Sequence, residues 1–130
     1  MLKDLALFIG RIFIIFIFMK AGFDKIANYS NTLNYMRSFN IPLTNIALIL
    51  SIIIEIGCSL LILIGYKIRY AALLLVIFLV IVTPIFHNIL KNPQQMIHFL
   101  KNLAIIGGLL QLAVVGGGRY SLERYSGEGN

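Results

Sequence analysis

The stretch LTNIALILSIIIEIGCSLLILIG, residues 43–65, contains one charged residue, Glu55, near its midpoint. A helix rises about 1.5 Å per residue, so about 20 residues cross a hydrocarbon core of about 30 Å. Residues 43–65 are therefore long enough to span a bilayer. Because a charge near the bilayer centre costs at least about 2.5 kcal/mol, Glu55 is predicted to face the interior of a bundle. Ala47, Ser51 and Ser59 recur with Glu55 at every fourth position, which predicts that this small, polar face packs inward.

The composition of the chain is typical of an integral membrane protein. Of its 130 residues, 59% are hydrophobic and 12% are charged, which leaves too little polar surface to cover a soluble globule of this size. The single cysteine, Cys58, excludes an internal disulfide and a Cys-x-x-Cys redox pair. The net charge of +6 is spread over loops and helix ends. We therefore expect the lipid bilayer, and not nucleic acid, to be the partner of these charges.

Three further apolar segments predict three further membrane-spanning helices. The predicted spans are at about residues 5–23, 43–65, 69–87 and 96–116, followed by a polar tail at 117–130. The basic turn between the second and third spans is too short for anything but an antiparallel hairpin. The sequence thus predicts a single, all-α transmembrane domain, an antiparallel four-helix bundle.

Between the first two spans, residues 26–42 are rich in Asn, Ser, Thr and Tyr. Apolar side chains recur there at spacings of three and four, which predicts a short helix lying in the membrane interface. Asn31 is predicted to cap this helix, which would end near Asn40 and Pro42. The recurring residues are Ile26, Tyr29, Leu33 and Met36.

Basic residues next to the spans predict the orientation of the chain. They are more numerous at the amino end, in the second connection and in the tail than in the first and third connections. Because basic residues are enriched on the cytoplasmic side of a membrane, both termini are predicted to be cytoplasmic.

Polar side chains on the other helices are expected to meet Glu55. On a helical wheel, Arg11 and Lys25 share the inward face of the first helix, whereas Lys20 lies opposite. An up-down-up-down bundle brings Lys25 together with polar groups of the third and fourth spans near one membrane face. Glu55 lies deeper, and Arg11 lies in the opposite half of the first helix. The groups expected near the membrane face are Lys25, His87, Lys101 and Asn102.

The fourth span has a second small, polar stripe. Its members recur at spacings of three and four, and the residues Asn102, Ile105, Ile106 and Leu109 lie to one side of it. The stripe comprises Lys101, Ala104, Gly108 and Gln111.

The order and spacing of several short motifs resemble those of the DoxX family. These motifs are GR at 10–11, GFDK at 22–25, EIG at 55–57, LIG at 63–65, KNLA at 101–104 and GG at 107–108, together with Arg69, Ala71, Ala72 and His87. The resemblance covers nearly the whole chain.

The resemblance implies a small four-helix protein of the bacterial inner membrane. Relatives in that family are named as thiosulfate:quinone oxidoreductase subunits and as members of membrane-associated oxidoreductase assemblies. The positions typical of the family are Arg11, Lys25, Glu55, His87 and Asn102. Quinone is accordingly the expected cofactor, and oxidoreductase subunits or a second copy of the chain are the expected protein partners.

Each of these residues has a structural and a functional interpretation. Glu55 either forms a buried ion pair with Arg11, is a protonated acid hydrogen-bonded inside the bundle, or relays protons and contacts a ligand. Lys25 and Lys101 are either anchors to lipid headgroups or ligand contacts. Asn102 either joins two helices or binds a ligand.

A metal or haem site is not predicted. His87 and His98 flank the third connection, but no Cys, Asp or Glu lies nearby in the sequence to provide a third ligand. No Gly-rich phosphate loop or nucleophile–base–acid constellation is present, which argues against a kinase or a hydrolase.

The functional prediction is a component of quinone-linked oxidoreduction. Glu55 and His87 are the predicted catalytic residues and would handle protons, whereas Arg11, Lys25, Lys101 and Asn102 are the predicted ligand-binding residues. The alternative is a non-catalytic membrane module that binds a small lipophilic ligand or anchors soluble redox enzymes.

Overall fold

The computed structural model describes residues 2–86 and 93–116. Five α-helices follow one another in this part of the chain, with no strand among the described residues. They are α1 (Leu2–Ala27), α2 (Tyr29–Arg37), α3 (Thr44–Ile64), α4 (Ile68–Phe86) and α5 (Met96–Val115), the last preceded by a 3₁₀ turn at Pro93–Gln95. The helices α1, α3, α4 and α5 are each long and apolar enough to cross a membrane.

The four long helices form an antiparallel bundle with the short α2 after the first helix, which confirms the predicted fold class. Helix α1 packs on α3, α3 on α4 and α4 on α5, and α5 returns to touch α1. The core is apolar and lies between all four helices. Its largest buried members include Phe18 of α1, Ile62 of α3, Ile68 and Leu75 of α4, and Leu109 of α5.

The hairpin between α3 and α4 is set by a glycine. Gly65 has a φ of +81°, a left-handed conformation that a glycine adopts without steric cost. The N–H groups of Gly65 and Tyr66 both donate to the carbonyl of Leu61, each at 3.0 Å. This arrangement satisfies the last carbonyls of α3 and ends the helix. Helix α4 begins at Ile68 and runs back along α3.

Helix α2 is present, but its start differs from the prediction. It begins at Tyr29, so that Asn31 lies in its first turn and does not cap it. The N–H of Asn28 donates to Asp24 O and the N–H of Thr32 donates to Asn28 O, both at 2.9 Å. Because backbone hydrogen bonds continue from α1 through Asn28 into α2, no side-chain cap is needed there.

The polar stripe predicted for α5 faces outward. Lys101, Ala104 and Gln111 are exposed, whereas Leu109 and Leu112 of α5 are buried. In a bilayer both the core and the surroundings are apolar, so small residues do not by themselves identify the packed face. The buried face of α5 is instead the side marked by Asn102, Ile105, Ile106 and Leu109, and of these only Leu109 is fully buried.

Leu43, at the start of α3, is expected to destabilise the fold through its backbone conformation. It has φ +49° and ψ +53°, a left-handed conformation that costs a residue with a Cβ about 1–2 kcal/mol. Its side chain is 74% exposed, so little packing would be lost on truncation. We expect Leu43→Gly to raise the thermal unfolding temperature in detergent by a few degrees, since about 1 kcal/mol of strain is removed. Leu43→Ala, which keeps the Cβ, is the control and should bring no such rise.

Candidate functional site

Helices α1 and α3 approach each other closely at Gly22. A Cβ atom built on Gly22 would lie 2.5 Å from Cγ1 of Ile56 and 3.7 Å from Cβ of Glu55. Only a glycine allows the two helices to lie this close. Lys25 lies one turn after Gly22 on the same face of α1. The close approach therefore brings Lys25 opposite Glu55.

Lys25 and Glu55 form an ion pair inside the bundle. Lys25 Nζ lies 2.5 Å from Glu55 Oε1. The side chain of Glu55 is 3% exposed, whereas that of Lys25 is 24% exposed. The carboxylate is thus enclosed by the helices, and the lysine reaches it from the direction of the membrane surface.

The ion pair between Arg11 and Glu55, one of the alternatives for Glu55, does not form, because Lys25 pairs with Glu55 instead. Arg11 is 1% exposed, but its Nη2 donates to the carbonyl of Leu63 at 3.4 Å, near the end of α3. Its guanidinium also lies 5.1 Å from the centre of the Phe8 ring. Arg11 precedes Lys25 by 14 residues, or about 21 Å of helix, so the antiparallel register places Arg11 opposite the far end of α3.

The polar stripe of α3 faces inward, as predicted. Glu55 and Ser59 are buried, and Ala47 and Ser51 are half-buried. The hydroxyl of Ser51 donates to Ala47 O at 2.9 Å, and that of Ser59 donates to Glu55 O at 2.5 Å. Both serines therefore satisfy their own hydroxyl hydrogens within α3 and do not provide partners for the Glu55 carboxylate.

A second polar contact joins α4 to α5. Asn102 Nδ2 donates to Thr83 Oγ1 at 3.1 Å, and Thr83 is 3% exposed. The sequence analysis did not identify Thr83 as a site residue. The signal for it was a threonine directly before Pro84 and four residues before His87 in the sequence.

One cavity of about 460 Å³ is lined by Lys25 and Glu55 and, from the second polar pair, by Asn102. Lys25, Glu55 and Ser51 belong to the wall formed by α1 and α3, and Asn102 belongs to the wall formed by α4 and α5. Helix α2 covers the cavity with Thr32, Tyr35 and Met36. The apolar lining includes Phe18, Phe78, Leu79 and Ile105.

Helix α2 is attached to the bundle by a side-chain hydrogen bond. Tyr29 Oη donates to Asn45 Oδ1 at 3.2 Å, which joins the first turn of α2 to the first turn of α3. Met36 is the buried residue of α2. The predicted interfacial helix thus forms one side of the cavity, a role that the sequence did not reveal.

The structure brings together some of the predicted site residues and separates others. Lys25, Glu55 and Asn102 line the cavity. Arg11 lies at the other end of the bundle, and Lys101 is exposed on the outer face of α5. His87 lies outside the described residues. Within residues 2–86 and 93–116, no group of three His, Cys, Asp or Glu side chains is arranged to hold a metal ion.

Comparison with known proteins places the chain in a family of membrane proteins. Residues 6–88 match the DoxX family. Two proteins of Escherichia coli strain K12 are similar over nearly their whole length. Inner membrane protein YqjF is 36% identical over 123 residues, which cover 95% of this chain and 93% of the relative.

A second relative is similar over almost the same share of both chains. Inner membrane protein YphA is 32% identical over 127 residues, which cover 94% of this chain and 91% of the relative. No solved structure matches the chain. The family match covers well over half of the sequence, and the four apolar helices agree with the membrane location in the relatives' names. The chain therefore belongs to the DoxX family.

Proposed function

We propose that the cavity binds the head of a quinone and that the protein takes part in quinone-linked oxidoreduction at a bacterial inner membrane. One observation carries the proposal. A buried Lys25–Glu55 ion pair lies on the wall of a cavity of about 460 Å³ inside an apolar bundle. An amphipathic molecule with a polar head and an apolar tail matches that combination of surfaces.

The lining of the cavity fits a quinone head in size and in polarity. Ligand pockets typically enclose about 300–1,000 Å³ and combine apolar walls with a few polar groups. Phe18, Phe78 and Ile105 provide apolar contacts. The ammonium group of Lys25 forms an ion pair with Glu55 and has three N–H donors, which is enough to serve a carbonyl oxygen as well. These features support a carbonyl-bearing ring as the ligand.

The proposed chemistry assigns a role in proton transfer to Glu55. A bound quinone accepts two electrons and two protons when it becomes a quinol. A redox enzyme acting as partner supplies the electrons. Glu55 holds and releases a proton at the cavity wall, and Lys25 donates a hydrogen bond that favours negative charge on the head. His87, which follows Thr83 by four residues, is proposed as the second group that handles protons.

The proposed orientation puts the cavity near the periplasmic side. Basic residues favour cytoplasmic termini, and the cavity lies beside α2 and the end of α1, at the side of the bundle opposite the amino terminus. In this orientation the tail of a quinone extends from the cavity into the bilayer.

Quinone-dependent turnover in membranes, followed as the reduction of quinone to quinol, tests the proposal. Glu55→Gln and His87→Ala should abolish proton-coupled turnover, while binding of a decyl-substituted 1,4-benzoquinone to the purified Glu55→Gln protein stays within a few-fold of the unaltered protein. Leu103→Ala, on the exposed face of α5, is the matched control and should leave both unchanged. Unchanged turnover in a folded Glu55→Gln protein would refute the proposal.

A non-catalytic binding module is the second candidate function. The observation that favours it is that the Lys25–Glu55 pair joins α1 to α3 and so has a structural role of its own. In that case Glu55→Gln would lower the unfolding temperature or reduce capture of a soluble redox enzyme without affecting any rate. An organic extract of the purified protein separates the candidates further, because a co-purified quinone supports the first.

A further inference from the structure

Polar groups line the cavity from two different helix pairs, Lys25 and Glu55 from α1 and α3, and Asn102 from α5, which packs on α4. Lys25 and Glu55 connect α1 with α3. Asn102 and Thr83 connect α5 with α4. Lys25 and Asn102 both line the cavity, and apolar side chains such as Phe78 and Ile105 make up much of the remaining lining. The cavity thus presents hydrogen-bonding groups on two walls.

The amide of Asn102 keeps unused hydrogen-bonding capacity. A side-chain amide has two N–H donors and one carbonyl acceptor. One N–H of Nδ2 is directed to Thr83 Oγ1 at 3.1 Å, and within the part of the chain that the structure describes the second N–H has no partner. Thr83 is 3% exposed and is fixed within α4, so its hydroxyl fixes the plane of the amide. Thr83 therefore acts on a ligand only through Asn102.

We infer that the cavity recognises a ring that carries hydrogen-bond acceptors at two opposite edges. Lys25 donates to one edge and Asn102 donates to the other. Thr83 is a positioning residue that holds the amide of Asn102 in the donating orientation. This inference rests on the proposed function and deepens it, because it assigns the second edge of the ring to Asn102 and a positioning role to Thr83.

The reason for two-sided recognition is energetic. A ligand acceptor that enters an apolar cavity gives up its hydrogen bond to water, and this costs free energy unless a donor in the cavity replaces the water. A site with donors on two walls therefore favours a ligand with two acceptors over one with a single acceptor. Each ordinary hydrogen bond corresponds to roughly 3- to 10-fold in affinity, and this is the size of discrimination that the site is expected to show for its second edge.

Binding of two matched ligands tests the inference. One is a decyl-substituted 1,4-benzoquinone, and the other is the decyl-substituted cyclohexenone, which keeps the tail and one carbonyl. Asn102→Leu should weaken binding of the benzoquinone by about 3- to 10-fold and leave binding of the cyclohexenone unchanged. Leu103→Ala, the neighbouring position on the outer face of α5, should alter neither affinity.

Variants of Thr83 separate positioning from packing. Thr83→Val keeps the shape of the side chain but removes the hydroxyl, and it should weaken benzoquinone binding without affecting the cyclohexenone. Thr83→Ser keeps the hydroxyl and should restore discrimination between the ligands. Binding of the cyclohexenone by Thr83→Val serves as the check that the cavity is intact.

The outcomes distinguish this inference from the proposed function. Equal weakening of both ligands by Asn102→Leu, or no weakening of either, would overturn two-sided recognition and leave quinone binding standing. Failure of Thr83→Ser to restore discrimination would overturn the role of Thr83. If neither ligand binds the unaltered protein, the inference and the proposed function both fall.

Discussion

Lys25→Met should lower the free energy of unfolding by about 3–5 kcal/mol, the loss expected when one partner is removed from a buried ion pair. The carboxylate of Glu55 is 3% exposed and has Lys25 as its charged partner. Without the lysine it must either stay charged inside an apolar bundle or take up a proton. Thermal or chemical unfolding in detergent measures this change.

The reciprocal variant should be milder. The Lys25 side chain is 24% exposed, so in Glu55→Gln its ammonium group can turn toward the membrane surface, where long basic side chains extend readily. The double variant Lys25→Met/Glu55→Gln should recover most of the stability lost in Lys25→Met, because it leaves no unpaired buried charge. Lys25→Met is therefore expected to be the least stable of the three variants, because it leaves the more deeply buried of the two charged groups without its partner.

A second lysine of α1 provides a matched control. Lys20 pairs with Asp24 at 3.0 Å, but both side chains are more than half exposed. Exposed pairs one helical turn apart contribute about 0.3–0.5 kcal/mol, so Lys20→Met should have a small effect. If Lys25→Met were no more destabilising than Lys20→Met, the pair with Glu55 would have no role in holding α1 to α3.

The apolar pattern was sufficient to predict the helices and the inward face of α3. A charged residue in the middle of residues 43–65 and the recurrence of small residues around it left only one face of the helix suited to packing. Glu55 and Ser59 are buried accordingly. The inward face of α3 follows from the residues of that helix alone, so it could be predicted from the sequence.

The partner of Glu55 depended on the register between two helices, which the sequence does not specify. Arg11 and Lys25 lie on the same face of α1, and either could pair with an acid on α3 as judged from a helical wheel. The close contact at Gly22 decides between them, because it places Lys25 at Glu55 and Arg11 near Leu63. A close backbone contact of this kind sets the register of two helices and therefore which side chains pair. The contact can be identified only from the three-dimensional structure.

The face of α5 illustrates a different limit. Lys101 was predicted to bind a ligand and to share a polar stripe with Gln111. Both are exposed, and Asn102 reaches Thr83 from the neighbouring position. Lysine and glutamine near the ends of a span can extend to the interface, so their presence does not require an inward face. The sequence predicted the short helix α2 but not that it covers the cavity. The periodicity of a short interfacial helix does not show where its side chains lie relative to the bundle.

Gly22→Ala is expected to destabilise the bundle by about 1–3 kcal/mol, the usual effect of an added methyl group in a tightly packed contact. The new Cβ would lie 2.5 Å from Cγ1 and 3.0 Å from Cδ1 of Ile56. Cγ1 moves only by rotation about χ1, which is strongly restricted for a β-branched residue in a helix, so we expect separation of the two helices to relieve the overlap. Unfolding in detergent measures the change in stability.

Gly10 is the control for this variant because it lies in the same helix. A Cβ on Gly10 would have no neighbour within 4 Å, so Gly10→Ala should be neutral or stabilising by up to about 1 kcal/mol, through its higher helix propensity. The opposite signs expected for the two substitutions separate the helix contact from helix propensity. Equal effects at both positions would contradict a close approach at Gly22.

The same contact should control the Lys25–Glu55 pair. Lys25 follows Gly22 by one turn, and Glu55 directly precedes Ile56, so separation of the helices at Gly22 lengthens the distance between the charged groups. In an Ile56→Ala background, Gly22→Ala should cost less, because the atoms that it overlaps are gone. If the pair depends on this contact, Lys25→Met should also cost less in Gly22→Ala than in the unaltered protein. A coupling of zero between the two positions would mean that the ion pair forms independently of how closely α1 and α3 pack.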